Sequence, residues 1–278
     1  MDYFVYTMDS TPFEQDELYG KCLELVSAYR KDKVQRLRRM EDRAASLAAG
    51  CLLSYALRVY AGIDEQQVVY IKNKSGKPAI IDNSDEQFGL GNKVDGADPL
   101  CAAAYRNIYS DVQFSISHTD GCVAVVIGKK ACGIDVERVR RIPDSIINRM
   151  YSDEDSEQIK YIECKGKKAD LYSTTVWTRR EAYGKMTGTG LLMSDPDQKN
   201  VMQDEYMLKK HTRLASYGIY RYNKECSTAA VLETELLNTD RPEGIKEYDY
   251  VTSVSVSAQD SDMKFMIIDH HDVIAELS

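Results

Sequence analysis

Asp135 and Glu137 lie two residues apart in Gly133-Ile134-Asp135-Val136-Glu137, at the end of an apolar run with the character of a strand. Strand side chains alternate faces, so the two carboxylates point the same way. A later segment, Trp177-Thr178-Arg179-Arg180-Glu181-Ala182-Tyr183-Gly184-Lys185, has the character of a helix. Trp177, Glu181 and Lys185 recur there at four-residue steps, along one stripe. Two carboxylates from a strand, one from a helix and a lysine one turn on are the ingredients of a Mg²⁺ site that handles phosphate. Oxygen ligands suit a hard cation, which keeps waters and substrate phosphates as its remaining ligands. Each piece alone is ordinary, since Asp-x-Glu is common on strands and Glu-x-x-x-Lys is a helix-stabilising pair. The chemistry requires that they converge. Glu181, or a water it positions, is then the natural general base for an attacking hydroxyl. Lys185 and His118 are placed to meet phosphate oxygens.

The elements that must position these groups are read in chain order. Residues 2–8 form an opening strand, and Glu14 to about Tyr29 a helix. Arg30, Lys31, Lys33, Arg36, Arg38, Arg39 and Arg43 then crowd into fourteen residues. Such a run is either a solvated face or a docking site for phosphates or an acidic partner. Ala44 to Tyr60 is a helix rich in alanine and leucine that ends near Gly62, and Val68–Ile71 is a short strand. Asn73-Lys74-Ser75-Gly76-Lys77-Pro78 is a turn, and 82–111 is a long surface excursion rich in Asp, Asn and Gly. Phe114–His118 and Cys122–Ile127 form a hairpin that leaves His118 at a strand end. Helices follow to about Tyr151, from Ser152 as N-cap, and over 170–186 with Gly188 beyond its end. Strands are expected over 217–222, 249–257 and 264–268.

The fold class is therefore α+β. Each half has a long helix, then strands, and Ser115-Ile116-Ser117-His118 and Ser253–Ser257 take similar places before apolar strands. This predicts two similar α+β lobes related by pseudo-twofold symmetry, 1–131 and 132–278, with the site in the cleft between them.

Composition narrows the function. A net charge of −8 over 278 residues argues against a protein that coats nucleic acid. No apolar stretch approaches the ~20 residues needed to span a bilayer, and Met1–Tyr6 lacks a signal peptide's basic start. Seven scattered cysteines, never spaced as CxxC, fit reduced thiols in a cytoplasm better than disulfides or zinc.

The order of the motifs says more than any one of them. Basic segment, Gly76-Lys77-Pro78, Ser115-Ile116-Ser117-His118, Gly133-Ile134-Asp135-Val136-Glu137, Trp177 to Lys185 and Gly188-Thr189-Gly190-Leu191 together resemble the 4′-phosphopantetheinyl transferases, in their large, pseudo-dimeric class. The resemblance covers roughly residues 30–191. It implies the phosphopantetheinyl transferase fold, with Asp135, Glu137 and Glu181 as Mg²⁺ ligands (Mn²⁺ as the alternative) and Glu181 as base. It implies that Ser117, His118 and Lys185 face coenzyme A phosphates. Lys33, Gly76, Lys77 and Pro78 would hold the 3′-phosphate and adenine end, on the side of the first lobe. The reaction implied moves phosphopantetheine from coenzyme A to a serine of an apo acyl or peptidyl carrier protein, releasing adenosine 3′,5′-bisphosphate. The expected enzyme is a cytoplasmic monomer that binds neither nucleic acid nor membrane. Arg180 stands where the family usually has lysine, and a planar guanidinium is not equivalent to a point donor. Two rivals remain from the residues alone: a Mg²⁺-dependent phosphodiesterase or nuclease, and a non-catalytic binding protein that uses the basic 30–43 segment.

Overall fold

The computed structural model describes residues 3–72, 77–82, 111–166, 169–191, 206–211, 215–222, 227–234, 250–256 and 263–278. Gly76 and residues 83–110 of the expected surface excursion lie outside these. β1 (Tyr3–Asp9) opens the chain. The helix expected over 14–29 is shorter, α1 (Asp16–Leu23), and a second, α2 (Ala28–Gln35), begins where it was expected to end. The break has a local cause. Ser27 is extended and its Oγ accepts the Arg30 N–H at 3.4 Å, capping a fresh start. α3 (Met40–Ala61) begins earlier than its alanine-rich stretch and stops at Gly62, whose φ of 66° suits a residue without Cβ. β2 (Val68–Lys72) pairs with β3 (Pro78–Asp82) as a ribbon. β4 (Gln113–Thr119), β5 (Cys122–Gly128) and β6 (Cys132–Arg138) come next. Then follow α4 (Asp144–Met150), α5 (Asp153–Cys164, with Ser152 as its cap) and α6 (Asp170–Thr187). The chain continues through β7 (Tyr206–His211), β8 (Ala215–Tyr222), β9 (Ser227–Thr234), β10 (Tyr250–Val256), β11 (Met263–Ile267) and α7 (His270–Leu277).

The architecture is α+β. One sheet has the order β11-β1-β5-β4, the other β6-β10-β9-β8-β7. All pairs are antiparallel except β1 with β11. α3 lies against the first sheet and α6 against the second, on β6 and β10. β3, β7, β9 and α7 were not anticipated; β7 falls where a polar connection was expected. The expected division at 131/132 is crossed by the chain. β11 completes the first sheet, and Val273 and Ile274 of α7 are buried in the same core as Leu52, Leu53 and Leu57 of α3.

α3 corrects another expectation. It spans 22 residues and contains a stretch of 18 with mean hydropathy 1.3, long and apolar enough by composition to cross a membrane. Its apolarity has a different use here, because 72% of that stretch is buried inside the protein. Arg30, expected as part of an exposed basic run, is buried as well, at 4% exposure. Its Nε lies 3.7 Å from Oε1 of the buried Glu65, and its guanidinium packs 5.0 Å from the Tyr70 ring centre. Glu65 also accepts from Ser27 N–H and Ser27 Oγ, both at 2.8 Å, and from Tyr70 Oη. One buried carboxylate thus fixes the start of α2 and neutralises the cation that α2 carries inward. Breaking a buried pair from one side leaves an uncompensated charge. Glu65→Ala is therefore expected to lower stability by about 3–5 kcal/mol, measured by urea unfolding.

Candidate active site

The two sheets meet edge to edge, β4 against β6. No ladder of backbone hydrogen bonds joins these strands; serine hydroxyls bridge them. Ser115 and Ser117, two apart on β4, face β6 together. Ser115 Oγ accepts the Ile134 N–H at 3.2 Å, and Ser117 Oγ donates to Asp135 Oδ1 at 2.8 Å. α6 lies directly on β6 at Gly133, where a Cβ would sit 1.9 Å from the Ala182 carbonyl oxygen and 2.4 Å from the Met186 nitrogen. Glycine is therefore required for strand and helix to approach this closely. Thr178 and Ser253 share a hydroxyl hydrogen bond of 2.7 Å that ties the same helix to β10.

That close packing brings the sequence-predicted residues into one cleft of about 670 Å³. Lys33, Lys77, Pro78, Ser117, His118, Asp135, Glu137, Glu181 and Lys185 all line it. Gly76 falls outside the described residues. Asp135 lies at the buried floor of the cleft. Its Oδ1 accepts from Lys185 Nζ at 2.7 Å as well as from Ser117, and Lys185 reaches the Ser117 hydroxyl at 3.1 Å. Its Oδ2 is buried with no hydrogen-bond partner among the described residues. Glu137 is half-buried, 3.5 Å from Thr119 Oγ1 and 3.9 Å from Arg140 Nε.

The electrostatics follow from this crowding. Burial raises the carboxyl pKa of Asp135, against the pull of Lys185. Glu137 and Glu181 are raised first by burial, then by the charge of Asp135. Three mutually repelling carboxylates and one orphaned buried oxygen are an oxygen donor set whose chemistry suits a hard divalent cation such as Mg²⁺. The raised pKa of Glu181 also makes it a stronger base than a free carboxylate. His118 is exposed on the cleft wall. Close packing of protein atoms around the ring, with the charges of Lys33 and Lys185, lowers its pKa. Its exposure limits the size of that depression, not its sign, so the imidazole is neutral at pH 7.

The far end of the cleft is cationic. Lys33 lines it from α2, and so does Arg30, whose Nε and Nη2 are buried without a hydrogen-bond partner among the described residues. Sequence reasoning grouped Arg30 with a surface run and missed it as a cleft residue; the distant Glu65 and Tyr70 that turn it inward leave no local signal. Ser115 was not singled out either, although the Ser-x-Ser alternation of a strand puts both hydroxyls on one face. Arg180 does not reach the cleft. It is 2% exposed, with its guanidinium 5.9 Å from the Tyr151 ring centre, about 100° round α6 from Glu181.

The chain is similar to known proteins. Residues 131–226 match the 4′-phosphopantetheinyl transferase superfamily. The chain is 23% identical over 233 residues to the 4′-phosphopantetheinyl transferase gsp of Aneurinibacillus migulanus, covering 84% of this chain and 81% of that protein. It is 22% identical over 174 residues to a 4′-phosphopantetheinyl transferase of Bacillus subtilis, covering 62% of this chain and 64% of the relative. With the 4′-phosphopantetheinyl transferase Sfp of Bacillus subtilis (strain 168) it shares 22% over 183 residues, 65% and 67% of the two chains. The resemblance carried by the motifs is thereby borne out.

Two outcomes are expected of the isolated site. A carboxylate whose folded pKa is raised holds its proton in the folded protein after the unfolded chain has released it. Stability present below the unfolded value, about 4, is then lost as pH rises through the folded value. In protein treated with EDTA, Asp135→Asn removes one such group and relieves Glu137 and Glu181. Its melting temperature should rise relative to wild type between about pH 4 and pH 7, followed by calorimetry. Gly133→Ala forces β6 and α6 apart and should destabilise by about 1–3 kcal/mol in urea unfolding.

Proposed function

We propose that this chain, an enzyme of the 4′-phosphopantetheinyl transferase kind, moves the phosphopantetheine arm of coenzyme A to a serine hydroxyl of an apo acyl or peptidyl carrier protein. The observation that carries this reading is the convergence of Asp135, Glu137, Glu181 and Lys185 at one end of a cleft whose other end is cationic. Asp135, Glu137 and Glu181 would hold Mg²⁺, or Mn²⁺ in its place. Bound there, the cation neutralises the charge of the coenzyme pyrophosphate. The chain's own residues do the rest. Glu181 takes the proton of the incoming serine hydroxyl as its oxygen bonds to the phosphorus that bears pantetheine. The bridging P–O bond breaks, and adenosine 3′,5′-bisphosphate leaves with the electron pair. Lys185 meets the charge that develops on the phosphate oxygens, and neutral His118 donates a hydrogen bond beside it.

Lys33, Arg30 and Pro78 suit the 3′-phosphate and adenine end of the coenzyme. Arg36, Arg38 and Arg39, exposed beyond α2, present positive charge next to the cleft, which matches an acidic carrier. The helix-on-sheet halves are read as pseudo-twofold lobes and the enzyme as a monomer. Cys22, Cys51, Cys122, Cys132 and Cys164 are free thiols, in keeping with a reducing cytoplasm.

The test is incubation with coenzyme A, Mg²⁺ and several apo-carrier proteins, followed by intact mass. A phosphopantetheine adduct on at least one carrier is expected. Asp135→Ala or Glu181→Ala should lower kcat by at least about 100-fold, whereas Arg36→Ala should raise a KM with kcat retained. No adduct on any carrier, with phosphodiester cleavage in its place, would overturn the reading in favour of a phosphodiesterase.

A further inference from the structure

Lys77 lines the cleft, yet its ammonium is engaged elsewhere. Nζ donates to the Cys132 carbonyl at 2.9 Å and to the Met186 carbonyl at 3.3 Å. Cys132 is the first residue of β6, on the strand that delivers Asp135 and Glu137. Met186 is in the last turn of α6, beside Lys185 and one turn beyond Glu181. Carbonyls in the last turn of a helix have no partner within it, and a cation there also meets the favourable end of the helix dipole. Between the two acceptors lies Gly133, where the strand and helix backbones touch without an intervening side chain. Lys77 itself comes from a third body, entering β3 of the ribbon. Three separately folded elements therefore meet at one ammonium, at the seam on which the relative placement of all three carboxylates depends. Its surroundings are partly enclosed, and burial lowers its pKa.

We propose that Lys77 is a positioning residue of the active site, a clamp that fixes the strand carrying Asp135 and Glu137 against the helix carrying Glu181 and Lys185. It acts on the reaction through those groups rather than through a coenzyme phosphate. The inference rests on the transferase reading for its kinetic arm only. A displacement of about 1 Å between the reacting groups is enough to lower turnover by about 100-fold, and loss of a supporting hydrogen bond behind metal ligands weakens metal affinity by about 10- to 100-fold.

The experiment compares wild type, Lys77→Met and Lys77→Arg, with coenzyme A and with 3′-dephospho-coenzyme A as donors, alongside Mn²⁺ binding followed by electron paramagnetic resonance. Lys77→Met is expected to lower kcat by about 10- to 100-fold, by the same factor for both donors, and to weaken Mn²⁺ binding with KM for the donor within about twofold of wild type. Lys77→Arg should recover most of both losses, because a guanidinium can still donate to two carbonyls. A Lys77→Met variant that raises KM for coenzyme A alone, with kcat and Mn²⁺ affinity intact and no effect on the dephospho donor, would make Lys77 a phosphate ligand and sink the clamp. Unchanged kinetics and Mn²⁺ affinity would sink it equally. If wild type labels no carrier, the transferase reading falls by itself, and the Mn²⁺ affinities of the three proteins still decide the role of Lys77.

Discussion

The structure depends on a seam between two sheet edges that is closed by side chains. An exposed strand edge carries unpaired N–H and C=O groups and invites unwanted pairing. Here β4 and β6 answer that with hydroxyls: Ser115 accepts a backbone N–H across the seam, and Ser117 donates to a carboxylate. A continuous ladder would have placed backbone where the cleft now lies. Serine side chains hold the strands together and leave an acidic residue facing a space large enough for a ligand.

The same seam explains why the site is charged as it is. Buried carboxylates are costly unless a cation faces them. In this chain Lys185 faces Asp135 from within the protein, at 2.7 Å, while Asp135 Oδ2, Glu137 and Glu181 retain capacity for an external cation. At the other end the balance reverses, with Arg30 and Lys33 facing the cleft and Glu65 behind them as the only carboxylate bonded to that arginine among the described residues. The cleft is a dipole built from side chains, its basic residues suited to a phosphate and its acidic residues to a cation.

Periodicity and motif order made much of this legible. Asp135 and Glu137 on one strand face, Trp177, Glu181 and Lys185 on one helix stripe, and the hairpin that ends near His118 are local patterns, and each has the geometry its spacing required. What sequence could not supply were decisions made at long range. Arg30 is turned inward by Glu65 and Tyr70, far along the chain, so it looked like its exposed neighbours. Ser27 broke a helix whose apolar pattern ran on, because a single capping hydroxyl outweighed the periodicity. Arg180 appeared as a substitute for a site lysine, but helical spacing places it one residue off the Glu181 stripe and so into the interior. α3 read as a helix rich in alanine and leucine, but only the packing around it shows that its apolarity serves the core rather than a membrane.

The parallel pairing of β1 with β11 has a consequence for how the protein is made. On the ribosome, β1, α3 and β5 emerge early and can collapse together, but one edge of their sheet and part of the α3 surface wait for residues 263–278. Closing so long a loop is entropically expensive and slow. During synthesis the first sheet is thus held open for the whole translation time of the second, a window in which β1 presents an apolar edge to chaperones and to other nascent chains.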